Sequence, residues 1–245
     1  MKEFVYSRNA VYETLRAKRR QVFQLLVAEG VQEKGRLSEI LALAKEQKIP
    51  AERVPRSRLD KLNAHHQGVA LEASGYPYAD LTDIFELAEK RSEPLFVLLL
   101  DALNDPQNFG ALLRTAEAVG VHGVVIPLAR TVGITPAAVN ASSGASEHLL
   151  IAQSNLHQAI TALKEAGAWI VGLDQNGETV GAGGHPPLQG ALGLVVGSEG
   201  QGMRPLVRQS CDFLLKLPLV GKIESLNAAA AGSVALYLAF MARSK

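Results

Sequence analysis

Three short segments of this chain gather residue types able to grip a small charged ligand and a phosphate. The first is Asn108-Phe109-Gly110-Ala111-Leu112-Leu113-Arg114-Thr115. The second is Val196-Gly197-Ser198-Glu199-Gly200-Gln201-Gly202-Met203. The third runs from Leu217-Pro218-Leu219-Val220-Gly221 to Ser225-Leu226-Asn227. Each follows an apolar, strand-like run, and α/β proteins bind ligands at the carboxyl ends of their strands. Together they set two Asn, an Arg, a Glu and a Ser beside glycine-rich backbone.

Every residue in that set also has a plainer explanation. Asn108 falls at or just before a helix start, where capping alone would account for it. Arg114 lies six residues on, and a solvated helix face is its default. Yet Leu112, Leu113, Ala116 and Val119 surround it, and a guanidinium beside apolar surface suits a phosphate or carboxylate. Gly197, Gly200 and Gly202 let backbone approach a ligand closely. Their spacing fits neither the dinucleotide fingerprint nor the Walker loop. A tight turn would explain the glycines, but a turn does not need Glu199. Ser225 is expected to cap the last helix, with Asn227 in its first turn. That helix opens with the small residues Ala228-Ala229-Ala230-Ala231-Gly232-Ser233, which permit close packing. No metal-ligand spacing, nucleophile elbow or Cys/His pair occurs.

Elements that position these segments follow from periodicity. Residues 1–74 read as helix, strand, helix, strand, helix, strand, with strands at 22–28 and 69–73, an edge starting at Arg53-Val54-Pro55, and helices at 9–15, 36–47 and 56–62. Gly75-Tyr76-Pro77-Tyr78 marks a linker, followed by a helix over 81–91. Beyond it, strands at 95–101, 123–127, 149–152, 169–173, 192–197 and 213–217 alternate with helices at 110–119, 135–141, 155–166, 205–209 and 226–241. Such alternation predicts an α/β fold with a mostly parallel sheet covered on both faces. Residues 172–190 read as a loop rich in Gly and Pro.

Composition narrows the class. The 245 residues are 47% hydrophobic, enough for a sizeable core. No apolar run is long enough to span a membrane, and the start Met1-Lys2-Glu3-Phe4 lacks a signal core. A single cysteine, Cys211, rules out an internal disulfide and fits a cytoplasmic location. Residues 1–74 carry 14 Lys+Arg against 9 Asp+Glu, a net of +5, and the remainder carries a net of −4. That asymmetry suits a basic partner-binding module on a near-neutral body, although +5 alone also fits an ordinary surface.

The three segments in this order resemble the motifs of the SpoU/TrmH family of RNA ribose 2′-O-methyltransferases. They match its Asn-x-Gly-Ala-x-x-Arg-Thr, Gly-x-Glu-Gly-x-Gly and Pro-x-x-Gly-x-x-x-Ser-Leu-Asn. Tyr6-Ser7-Arg8-Asn9-Ala10-Val11, His66-Gln67-Gly68 and Ser143-Gly144-Ala145-Ser146-Glu147 extend the likeness across the chain. The resemblance implies a trefoil-knotted methyltransferase domain over 94–245, a linker over 75–93 and a ribosomal-protein-like α/β RNA-binding domain over 1–74. It implies S-adenosylmethionine as methyl donor, a homodimer, and RNA as substrate, most closely a guanosine ribose of 23S rRNA. By the same resemblance Gly197, Gly200, Leu217, Leu219 and Leu226 contact the cofactor. Asn108, Arg114, Glu199, Ser225 and Asn227 take the catalytic positions, with Arg114 as base or as electrostatic grip. Two positions depart from the pattern. Ala228-Ala229 stand where Val-Ser is common, and Asn140 stands where a Lys is frequent. The same chemistry on tRNA, or RNA binding without catalysis, are the competing readings.

Overall fold

A computed structural model describes residues 2–129, 131–179, 188–198 and 200–243. In chain order the first elements are β1 (Lys2–Tyr6), α1 (Arg8–Ala17), β2 (Val22–Ala28), α2 (Arg36–Glu46), β3 (Ala51–Val54), α3 (Arg56–Asp60) and β4 (Val69–Ser74). Next come α4 (Leu81–Arg91), β5 (Phe96–Leu100), α5 (Pro106–Ala118), β6 (Gly123–Ile126), α6 (Pro136–Ala141) and a 3-10 turn at Ala145–His148. The chain continues with β7 (Ile151–Gln153), α7 (Leu156–Glu165), β8 (Trp169–Thr179), β9 (Leu192–Val196), α8 (Pro205–Ser210), β10 (Phe213–Lys216) and α9 (Ala228–Arg243). Two compact units result: Met1–Pro77 with Gly133–His148, and Tyr78–Val132 with Leu149–Lys245.

The first unit holds a four-stranded sheet in the order β1-β4-β2-β3. Only β2 and β3 run parallel. Leu26, Ala28, Val54, Leu59 and Ala70 form a core under it. The unit opens with a strand, where the sequence predicted a helix first. Lys2–Tyr6 is only five residues long and half exposed, so its alternation is too short to read; pairing with β4 creates it.

Segment Gly133–His148 lies far along the chain, yet it packs in this unit. Its anchor is Glu147. The Arg20 guanidinium grips that carboxylate with both ends of its fork, Nε at 2.7 Å and Nη2 at 2.8 Å. Both side chains are fully buried, and Nη1 also meets Glu3 and the Ser74 carbonyl. Burial pulls the Arg20 pKa down, but the two carboxylates outweigh it and hold the guanidinium charged. Elsewhere in the unit much of the positive charge faces internal acids: Lys2–Glu72, Arg16–Glu13, Arg36–Glu39 and Arg58–Glu52. Net charge therefore overstates the cation available to a phosphate backbone.

The second unit is a six-stranded, all-parallel sheet in the order β10-β8-β9-β5-β6-β7. Central strands β5 and β9 are buried at every residue, as helices on both faces require. Val97, Leu99, Val125, Ile160, Ile170 and Val195 belong to one core. Strand β8 extends to Thr179, through residues read from the sequence as loop. Asp174, Gln175, Asn176 and Gly177 are poor strand formers, and the extension exists because it pairs with β10 across a register shift at Leu214/Leu215.

The far end of α9 is fastened by Arg243, which lies over the Phe96 ring at 4.7 Å and bonds the carbonyls of Pro94, Leu95 and Gly190. Beside it, His122 is 1% exposed. Its Nδ1 accepts the Phe96 N–H at 3.0 Å, so Nε2 carries the proton toward Glu93. Burial lowers the His122 pKa against the opposing pull of Glu93. The unfolded chain thus takes up a proton that the folded chain refuses, in the window below the ordinary value near 6.5. Stability is full above that value and falls as pH drops through the window. We expect the melting temperature to decline from pH 7 to pH 5 less steeply in His122→Asn than in the parent; equal slopes would contradict this.

Cys211 sits 4.0 Å from the Met203 sulfur, and burial pushes its thiol up to about 12, away from the nucleophilic thiolate form. Among the described residues, no helix is long and apolar enough to cross a membrane.

Candidate active site

The sites converge at the carboxyl ends of β5, β8, β9 and β10, all within the second unit. A cavity of about 760 Å³ opens there. The second and third sequence segments supply most of its wall: Gly197, Ser198, Gly200, Gln201 and Gly202 on one side, Leu217, Leu219, Ser225, Leu226 and Asn227 on the other. All five residues expected at a cofactor are in that wall. Glu199 lies outside the described residues.

The glycine spacing has a geometric cause. Ser198 and Gly202 pair as a two-residue antiparallel bridge, N–H to O at 3.0 Å and 2.9 Å. The turn between them needs left-handed backbone at Gly200 (φ +77°) and Gly202 (φ +66°). At Gly197 a Cβ would stand 2.3 Å from the Gly202 carbonyl carbon and 2.4 Å from the Met203 nitrogen. Only glycine lets the turn fold back onto the strand end. Gly197→Ala should displace the 198–202 turn and weaken cofactor binding roughly tenfold or more, measurable by calorimetry. Unchanged affinity would show that the turn does not shape the site.

The first and third segments meet directly. Asp105 caps α5, accepting from Gln107 N–H at 3.2 Å and Asn108 N–H at 3.1 Å, and Pro106 takes the first helical position. Asn108 is therefore inside the helix rather than its cap. Its Oδ1 accepts the Asn227 Nδ2–H at 2.9 Å. Asn227 turns its own Oδ1 to the Ala229 and Ala230 N–H groups at 2.8 Å and 3.2 Å. Asn227, not Ser225, thus caps α9, and Ser225 lies in the preceding loop. One amide both caps a helix and ties two sequence segments 119 residues apart.

Close contact of α5 and α9 makes this possible. A Cβ on Gly232 would lie 2.5 Å from the Leu112 side chain, and the Thr115 and Ser233 hydroxyls meet at 2.9 Å. The run of small residues at 228–233 is explained by that approach. Arg114 is exposed on α5. Six residues beyond Asn108, it projects about 120° around the helix axis from it. Neither Asn108 nor Arg114 is part of the cavity wall.

Sequence reasoning missed a carboxylate in that wall. Asp174, on the extension of β8, accepts Arg208 Nε at 2.7 Å. Burial works to raise its pKa, but Arg208 and the Asn176 N–H outweigh it and hold it below the usual carboxylate range. A fixed anion in a cavity walled by leucines suits a ligand with an apolar ring and a cationic group. The available signal was position: Asp174 follows the strand-like run 169–173, where ligands bind. Among the described residues no cluster of His, Cys, Asp or Glu stands ready to hold a metal.

A glycine-lined cavity at the strand ends of a parallel α/β sheet lies where such folds bind their ligands. The model of the SpoU rRNA methylase family matches residues 95–237, and that for RNA 2′-O ribose methyltransferase substrate binding matches residues 4–79. The chain belongs to the SpoU methylase family. A putative TrmH family tRNA/rRNA methyltransferase of Bacillus subtilis, YacO, is 42% identical over 98% of this chain and 96% of its own. The AdoMet-bound rRNA methyltransferase from Sinorhizobium meliloti superposes with a TM-score of 0.77 at 21% identity, over 97% of this chain and 86% of its own. The A. aeolicus TrmH/SpoU tRNA modifying enzyme superposes with a TM-score of 0.54 at 27% identity, over 67% of this chain and 82% of its own.

Proposed function

We propose that this chain transfers a methyl group from S-adenosylmethionine to a ribose 2′-hydroxyl of RNA, with a guanosine of 23S rRNA as target. The observation that carries the reading is the cavity at the strand ends, where the glycine turn and the 217–227 loop face each other. The turn folded tightly onto Gly197, where no Cβ fits, presents backbone at the cavity wall for a ligand to lie against. Leu217, Leu219 and Leu226 offer apolar cover for an adenine, and Asp174 suits a ribose hydroxyl or an α-ammonium. When bound, S-adenosylmethionine supplies an electrophilic methyl on a sulfonium.

The chain's residues then have two tasks. They align the 2′-oxygen in line with the methyl carbon, and they manage the proton and charge that leave with the attack. The 2′-oxygen gives up its proton to solvent water as it takes the methyl, and the bonding pair of that methyl would stay with the donor's sulfur. Asn108 and Asn227, fixed to each other, position the nucleotide with Ser225. Arg114 grips a phosphate and stabilises the developing alkoxide, with Glu199 orienting it. A guanidinium is a planar fork of N–H donors with no acceptor, which favours this role over that of a free base.

Residues 1–74 hold the RNA away from the reacting ribose, joined through 75–93 to the catalytic part at 94–245. Threading of the C-terminal stretch through a trefoil knot accounts for the close meeting of α5 and α9. Val234, Tyr237 and Met241 form an exposed stripe on α9 at helical spacing, which supports a homodimer. The choice of rRNA over tRNA is supported by coverage. The rRNA enzyme aligns with nearly the whole chain, and the tRNA enzyme with two thirds of it. The test offers unmodified 23S rRNA and tRNA as acceptors of labelled methyl in parallel. Labelling of rRNA supports the proposal; labelling of tRNA alone overturns the substrate.

A further inference from the structure

A second cavity, of about 310 Å³, opens at the carboxyl ends of β6 and β7. Its volume is near the lower bound for ligand pockets, roughly 300 Å³. Pro127, Leu128, Leu206 and Val207 wall it, with His157 and Arg204 at its polar side. Leu128 and Leu206 are 70% and 56% exposed. Two large aliphatic side chains held open to solvent around one cavity invite an apolar, flat occupant.

Arg204 is fixed there by a carboxylate that has no exposure of its own. Asp101, at the end of β5, accepts the Arg204 backbone N–H and its Nε–H, both at 2.7 Å. Among the described residues the two terminal nitrogens of Arg204 have no protein partner. A cation preset by a buried anion holds a phosphate without the entropy of ordering a free side chain. The cavity also adjoins the first one along the chain. Gly202 lines one and Arg204 the other, and two Cα–Cα steps place them no more than about 7.6 Å apart.

We propose that this cavity receives an unstacked base flanking the methylated nucleotide, with Leu128 and Leu206 against the base and Arg204 on its phosphate. Single-stranded RNA is read by splaying bases onto aromatic or guanidinium surfaces, and extruded bases are also held between apolar side chains. The inference rests on the RNA methylation reading, and it adds a subsite that positions the substrate strand.

The test uses the full chain and 23S rRNA substituted with 4-thiouridine. Leu128→Ser/Leu206→Ser changes two exposed side chains and should leave the fold and S-adenosylmethionine binding intact. The proposal expects photocrosslinks to peptides 127–129 or 204–207, lost in the double variant, and an RNA dissociation constant raised roughly tenfold. Crosslinks only elsewhere with unchanged RNA affinity would overturn it. So would unchanged RNA affinity with altered self-association, which would give the cavity to a protein contact. Methyl transfer is followed in the same samples, so loss of the enzymatic reading registers separately from the crosslink result.

Discussion

Arg114→Ala is expected to lower methyl transfer by about 10²–10³-fold while leaving S-adenosylmethionine binding in place. The expectation follows from where the residue sits. Arg114 is exposed on α5 and is not in the wall of the cavity proposed for the cofactor, so its removal takes nothing from that wall. It shares a helix with Asn108, which the Asn227 amide ties to the start of α9. On the proposed reading, the Arg114 guanidinium meets the charge that develops on the 2′-oxygen. Arg114→Lys should recover little, because an ammonium does not reproduce a planar fork. Single-turnover rates with saturating cofactor measure the effect. A variant with near-parental turnover would remove Arg114 from both of its proposed roles.

Glu147→Ala should cost about 3–5 kcal/mol of stability, because it leaves a buried guanidinium without its main counter-ion. The Arg20 side chain is fully buried and, among the described residues, would keep Glu3, the Ser74 carbonyl and the Tyr76 ring. Changing both partners together, as in Arg20→Met/Glu147→Leu, should recover most of the loss, since no buried charge then remains unpaired. Scanning calorimetry of the parent, Arg20→Met, Glu147→Leu and the double variant closes the cycle. A Glu147→Ala change below about 1 kcal/mol would mean that solvent reaches Arg20.

How far these results were legible in the sequence differs by residue. Long apolar runs gave strands β2, β5 and β9 almost to the residue, because full burial leaves an unbroken hydrophobic signature. Strand β1 and the second half of β8 were missed. Both owe their conformation to a partner strand rather than to their own residues. Motif order brought the right segments to one end of the sheet, and spacing alone misassigned their caps. Asp, Asn and Ser are all good N-caps, so Asp105 over Asn108 and Asn227 over Ser225 were decided by geometry. The packing of Gly133–His148 with the first unit had no local signal, because Arg20 and Glu147 meet across 127 positions. Asp174 was hidden for the reason that hid its strand.

The most direct test of the central claim is mass spectrometry of nucleosides from 23S rRNA incubated with the protein and S-adenosylmethionine. We expect one new 2′-O-methylated ribonucleoside, a guanosine, absent without the cofactor and absent with Arg114→Ala. Methylation on a base, or no methylated nucleoside with cofactor demonstrably bound, would contradict it.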